Sequence, residues 1–79
     1  MDKYNLEELE IDDIESNIVE LRKKSGYTQE DLADEVDVAT STIRNWEKGR
    51  TGLQWMLWIA KLCAALNCEP SDLIKLKNR

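Results

Sequence analysis

An all-α, compact five-helix domain is what this sequence predicts, on three observations. One Pro and three Gly among 79 residues are too few for the tight turns of an all-β domain. Apolar residues recur at helical spacing between residues that start and stop helices. A hydrophobic fraction of 42% beside 34% charged residues of both signs suits a small globule rather than a disordered chain. One domain of this size buries only about 60% of its unfolded surface, so its core must be economical. The expected organisation is an acidic N-terminal extension, 1–11, followed by the folded unit, 12–79.

Each element has its own warrant. Asp12 with Glu15 three residues later has the form of a helix-start box. Ile14, Ile18, Leu21 and Ser25 then share one face. The basic run Arg22-Lys23-Lys24 and Gly26 suit that helix's end. Thr28 with Asp31 is a second capping box, opening a helix over 29–36 with Leu32, Ala33 and Val36 inward. A break at Asp37-Val38-Ala39 precedes a third helix, 40–48, ended by Gly49, with Ile43 and Trp46 or Glu47 on its inner side. The fourth, 53–66, is apolar almost all round, only Gln54 and Lys61 being polar. Such a helix is either sandwiched in a core or shared with a partner. A short chain has little mass to cover both its sides, which makes Trp55 and Trp58 candidates for a dimer interface. Pro70 would open a fifth helix, with Leu73, Ile74 and Leu76 docking it and Lys75, Lys77 and Arg79 at its end.

What is missing excludes chemistry. The chain has no His, hence no Ser-His-Asp or Cys-His arrangement and no His-based zinc site. Two cysteines do not make a four-thiolate site. Cys63 and Cys68 lie five apart across a helix end, where a mutual disulfide would be expected to fight local geometry, so they count as small buried hydrophobes in a reducing cytosol. No phosphate-cradling Gly loop is present. An enzyme, a metal and a cofactor are therefore all unexpected. The acidic start lacks an apolar signal core, and no apolar run reaches membrane-span length, so a cytoplasmic location is expected.

Charge is divided along the chain. Residues 1–20 hold eight acids against Lys3, a net of −7, and residues 21–79 hold ten bases and eight acids, a net of +2. The overall −5 thus comes from the start of the chain, leaving room for a small basic face elsewhere.

The informative stretch is 28–50. Two helices of about eight residues joined by a three-residue break have the dimensions of a helix-turn-helix. Ala33 supplies the small residue where the second helix crosses the first, and Val38 plugs the turn. Thr40, Ser41, Thr42, Arg44, Asn45 and Lys48 give the second helix a polar outer face. Such a face suits a major groove about 12 Å wide.

With those residues in place, the sequence resembles the Cro/repressor-type helix-turn-helix regulators of prokaryotes and phages. The resemblance runs from about Ile18 to Leu76. It rests on Leu21-Arg22, Tyr27-Thr28-Gln29, Leu32-Ala33, Val38, Ser41-Thr42-Ile43, Trp46-Glu47-Lys48-Gly49, Leu66-Asn67-Cys68 and Asp72-Leu73. It implies a lambda-repressor-like fold and a transcriptional regulator, most simply a repressor, that binds double-stranded DNA as a homodimer at the nucleoid. The recognition helix would be 40–48. Thr40, Ser41, Arg44 and Asn45 fall at base-facing positions. Thr28, Gln29, Thr42, Lys48 and Arg50 fall at backbone-contacting positions. Arg22 and Glu47 match an internal ion pair.

Three departures from the family pattern stand out. Asp37 replaces the usual turn Gly. Ala39 replaces the usual capping Ser, leaving Thr40 as the alternative cap. The loop after Arg50 is short and lacks the common Pro. A second reading keeps the fold but makes the chain an antitoxin-like or adaptor module, with a heterologous protein partner seated on the Trp55/Trp58 helix.

Overall fold

The structure, a computed structural model, describes residues 8–77. Among these there are four α-helices and no strand: α1 (Ile18–Lys24), α2 (Gln29–Val36), α3 (Thr40–Glu47) and α4 (Leu53–Leu66). Three-ten turns lie at Ile11–Asp13 and Pro70–Leu73. None of the described helices is long and apolar enough to cross a membrane.

All four helices close in the same way. A residue with positive φ follows the last turn: Gly26 at 79°, Asp37 at 62°, Gly49 at 72° and Asn67 at 53°. The amide after it bonds back five residues, from Tyr27 to Arg22, Val38 to Ala33, Arg50 to Asn45 and Cys68 to Cys63, at 3.0–3.1 Å. This is the Schellman closure, which satisfies carbonyls the helix leaves open. It explains why Asp37 serves as the turn residue of the 28–50 segment. Its short polar side chain tolerates the left-handed region, at about 1 kcal/mol against Gly.

Two expected elements differ. The first helix starts at Ile18, not near Asp12. The Asp13 carboxylate instead accepts the Glu10 N–H at 3.0 Å, closing a single three-ten turn, and Ile14 leaves it extended at φ −126°. Ser16 Oγ then accepts the Ile18 N–H at 3.3 Å. The expected fifth helix is one three-ten turn, in which the Asp72 carboxylate accepts the Glu69 N–H at 3.0 Å. Ile74 continues as extended backbone at φ −125°. Leu73 is half-buried, whereas Ile74 and Leu76 are 80% and 95% exposed, so burial does not reward continuing the helix past the turn. Arg79, placed at that helix's end from the sequence, lies outside the described residues, as do Asp2, Lys3 and Glu7 of the acidic extension.

The core is small. Ala33, Ile43 and Leu57 are its fully buried residues among those described. Ala33 lets α3 cross α2 closely, with Ile43 seated beside it. Leu57 anchors α4, and Leu9 and Ile14 line the α1–α4 crevice with Leu53 and Met56. The fold therefore draws in a residue from before position 12. Trp46 sits at the core's edge, half-buried, with its indole over Gly52. A Cβ on Gly52 would come within 2.6 Å of Trp46 Cδ1, and φ there is 84°. Gly52 thus fixes both the turn into α4 and the close approach of the tryptophan.

Candidate nucleic-acid interface

The 28–50 segment folds as a helix-turn-helix, α2 and α3 joined at Asp37-Val38-Ala39. Its frame is polar and converges on Glu47, at the end of α3. Arg22 of α1 donates from Nε to Glu47 Oε2 and from Nη1 to the Tyr27 carbonyl at 3.0 Å. Gln29 of α2 donates from Nε2 to Glu47 Oε1 at 2.8 Å. The side chains of Arg22 and Glu47 are only 12% and 5% exposed. Burial pushes the Glu47 carboxyl up. Its hydrogen bonds from Arg22 and Gln29, with the nearby charges of Arg22 and Lys23, outweigh that and hold it below the ordinary range. One carboxylate thus ties α1, α2 and α3 together.

At the start of α2, the Thr28 hydroxyl accepts the Asp31 N–H at 3.0 Å, and the Asp31 carboxylate accepts the Thr28 N–H at 3.0 Å. The backbone hydrogen bond from Thr28, followed by that of its hydroxyl, lowers the Asp31 pKa. Thr28 is thus engaged with Asp31 through both its backbone N–H and its hydroxyl. Apart from Val36, expected to face inward but 48% exposed at the helix end, the rest of α2's exposed surface is acidic, with Glu30, Asp34 and Glu35 open to solvent.

The outer surface of α3 contrasts with it. Ser41, Arg44 and Lys48 are exposed at helical spacing, with Arg50 exposed just beyond. Thr40, Thr42 and Asn45 are half-buried at the edges of that face. With Glu47 turned inward onto Arg22, every charge α3 and its closing turn present to solvent is positive. Thr40 occupies the first helical position rather than the cap. The cap is Ala39, extended at φ −71° and ψ 150°, with no side-chain bond to the helix. The Thr40 and Ser41 amides are thus left without a side-chain partner, which favours an anion at that end.

Reading residue types alone missed two features. Gln29 is held by Glu47, a pairing that joins positions 18 apart in the chain and has no local signal. Gly52 has a signal, a glycine directly before an apolar helix, but its tryptophan partner is visible only in three dimensions.

A helix-turn-helix family model matches residues 18–54. These span α1 through the first residues of α4, including the Glu47 network and the whole outer face of α3. The fold and this frame define a helix-turn-helix protein of the lambda-repressor-like class. Over these residues the chain matches the Cro/repressor-type helix-turn-helix family, a family of DNA-binding transcriptional regulators. Neither the curated proteins nor the solved structures searched give a match.

Proposed function

We propose that this chain is a sequence-specific repressor that reads double-stranded DNA as a homodimer, with α3 in the major groove. The carrying observation is the face of Ser41, Arg44 and Lys48, cationic and exposed on a helix that the Glu47 network holds from behind. Arg44 would pair with a guanine edge and Asn45 with an adenine, each pairing worth about 1–3 kcal/mol of discrimination. Thr40 and Ser41 complete the base-facing set. Gln29, Thr28, Thr42, Lys48 and Arg50 would lie against the phosphates. Glu47 keeps one face of Gln29 occupied, which fixes how its amide meets the backbone. Repression would come from occlusion of a promoter in the cytoplasmic nucleoid.

The homodimer reading rests on α4. Trp55, Trp58, Ile59, Leu62 and Leu66 form an exposed apolar stripe, Trp55 and Trp58 being 65% and 48% exposed. The two indoles meet edge to face, 5.0 Å apart at 83°. A second copy would cover this stripe isologously and set two recognition helices on half-sites about 34 Å apart. Selection from a random duplex pool at near-physiological salt tests the reading, with Arg44→Ala alongside. The expected result is a two-fold-symmetric site for the wild type and a relaxed preference for a variant that folds normally. A folded protein that enriches no site would overturn the reading, and would turn attention to a heterologous partner on α4.

A further inference from the structure

We propose that Cys63 and Cys68 form a redox-active dithiol, closing to an intramolecular disulfide across the C-terminal turn of α4. The geometry is that of the Schellman closure. Cys63 is the fourth residue from the end of α4 and Cys68 is the second beyond it. The Cys68 N–H donates to the Cys63 carbonyl at 3.0 Å, and the Asn67 N–H to the Ala64 carbonyl at 3.4 Å, with Asn67 left-handed at φ 53°. Side chains at these two positions turn toward each other. The same pair of positions in α2 is held by Ala33 and Val38, which pack inward together. In α4 the pair is two thiols.

The sequence places the pair across a helix end without saying how the chain turns there, which is why a bridge looks strained. The left-handed Asn67 reverses the chain and removes that objection. Both thiols are free and half-buried, within reach of a small oxidant. Burial, followed by the proximity of Cys63 and the charges of Asp72 and Glu69, pushes the Cys68 thiol up, so exchange speeds up as pH rises. These are the chain's only two cysteines, so each has one intramolecular partner.

The chemistry is thiol–disulfide exchange with a small disulfide such as oxidised glutathione. One thiolate attacks it, forming a mixed disulfide and releasing one glutathione thiolate. The second thiolate then displaces the other glutathione, closing the Cys63–Cys68 bond. Two protein thiols are oxidised and one small disulfide is reduced to two thiols, which take up the two protons the protein thiols give up. The product ties the segment after α4 covalently to the helix that carries the apolar stripe.

The test incubates the full reduced chain with oxidised glutathione and follows free thiols, intact mass and melting temperature. The expected result is joint loss of both thiols, with the tryptic peptide Leu62–Lys75 lighter by two hydrogens and no linkage between chains. The melting temperature should rise by roughly 5–10 °C, since the bridge restricts the unfolded chain, and return on reduction. Cys63→Ser should instead retain one glutathione on Cys68 without that rise. A wild-type chain that holds glutathione adducts, links to a second chain, or melts lower when bridged would overturn the proposal.

Discussion

On α3 and the turn that closes it the residues facing solvent are Ser41, Arg44 and Lys48, whereas the large side chains facing solvent on α4 are Trp55, Trp58, Ile59, Leu62 and Leu66. Both helices bury one main anchor, Ile43 in α3 and Leu57 in α4. The difference is in what stands behind and in front of them. Behind α3 is a polar frame in which Arg22 and Gln29 converge on a buried carboxylate, and in front is a surface that water already solvates. Behind α4 are aliphatic side chains, and in front is an apolar stripe that water solvates poorly. A polar outer face needs rigid backing to be read by a ligand. An apolar outer face gains free energy simply by being covered, at about 25 cal/mol per Å².

The strongest way to break that contrast is to remove the backing of α3. Glu47→Ala leaves Arg22 buried without its partner, which typically costs about 3–5 kcal/mol, a large part of a small domain's stability. Urea unfolding should therefore show a domain that is largely unfolded or close to it. The same network sets an acid limit. Glu47 and Asp31 both titrate below their ordinary range when folded. Their stabilisation is therefore present above the unfolded carboxylate pKa and is lost as pH falls through the lower, folded values. Thermal melts from neutral pH downward should hold steady until the ordinary carboxylate range and then fall. Glu47→Gln should flatten part of that fall.

Next in size is the junction between the two helices. Gly52→Ala places a methyl group 2.6 Å from Trp46 Cδ1 in a left-handed backbone. Overpacking and the conformational penalty together should cost about 2–4 kcal/mol. Calorimetry reads that loss directly, and the tryptophan fluorescence of Trp46 should shift with it. A variant as stable as the wild type would mean the indole does not rest on this glycine.

A smaller stability effect, with a larger effect on association, is expected on the α4 face. Trp58→Ser removes part of the exposed stripe, so the monomer's stability should change by about 0.5 kcal/mol or less. Sedimentation should show weaker self-association, and DNA affinity should fall with it. Trp55→Ser in the same background should extend the loss. If both variants associate like the wild type, the stripe is not where copies meet.

These contrasts also mark how far the sequence could be read. The limits of α2 and α4, and those of α3 to within one residue at its end, were legible because the signals are local: the Thr28–Asp31 box, the left-handed residues at 37 and 49, and Gly52. The position of Arg22 opposite Glu47 is legible only through the family resemblance, since no local rule joins residues 25 apart. The start of α1 was not legible, because Asp12–Glu15 and Glu10–Asp13 are competing frames of the same acidic run. Packing of Leu9 and Ile14 against α4 decides between them. The C-terminal segment misleads for a similar reason. Pro70 and Asp72 are good helix openers, but Ile74 and Leu76 stay exposed, so burial does not reward a helix that runs on through them. The closeness of the two cysteines was not legible, because it depends on Asn67 adopting positive φ, which residue spacing does not encode.

The smallest expected effect concerns the start of α3, where the polar helix is least well closed. Ala39 holds the cap position with extended backbone and no side-chain oxygen. Ala39→Ser would place a hydroxyl where it can accept the Ser41 N–H without moving the chain. Caps of this kind stabilise by about 1 kcal/mol, which for a domain of this size is a rise of roughly 4–8 °C in melting temperature. The change touches neither Glu47 nor the α4 stripe, so self-association should stay as it is. A rise in Tm with unchanged association would show that the two faces are energetically separate. A change in association from a substitution at residue 39 would instead show that α3 and α4 are coupled through the Trp46–Gly52 contact between them.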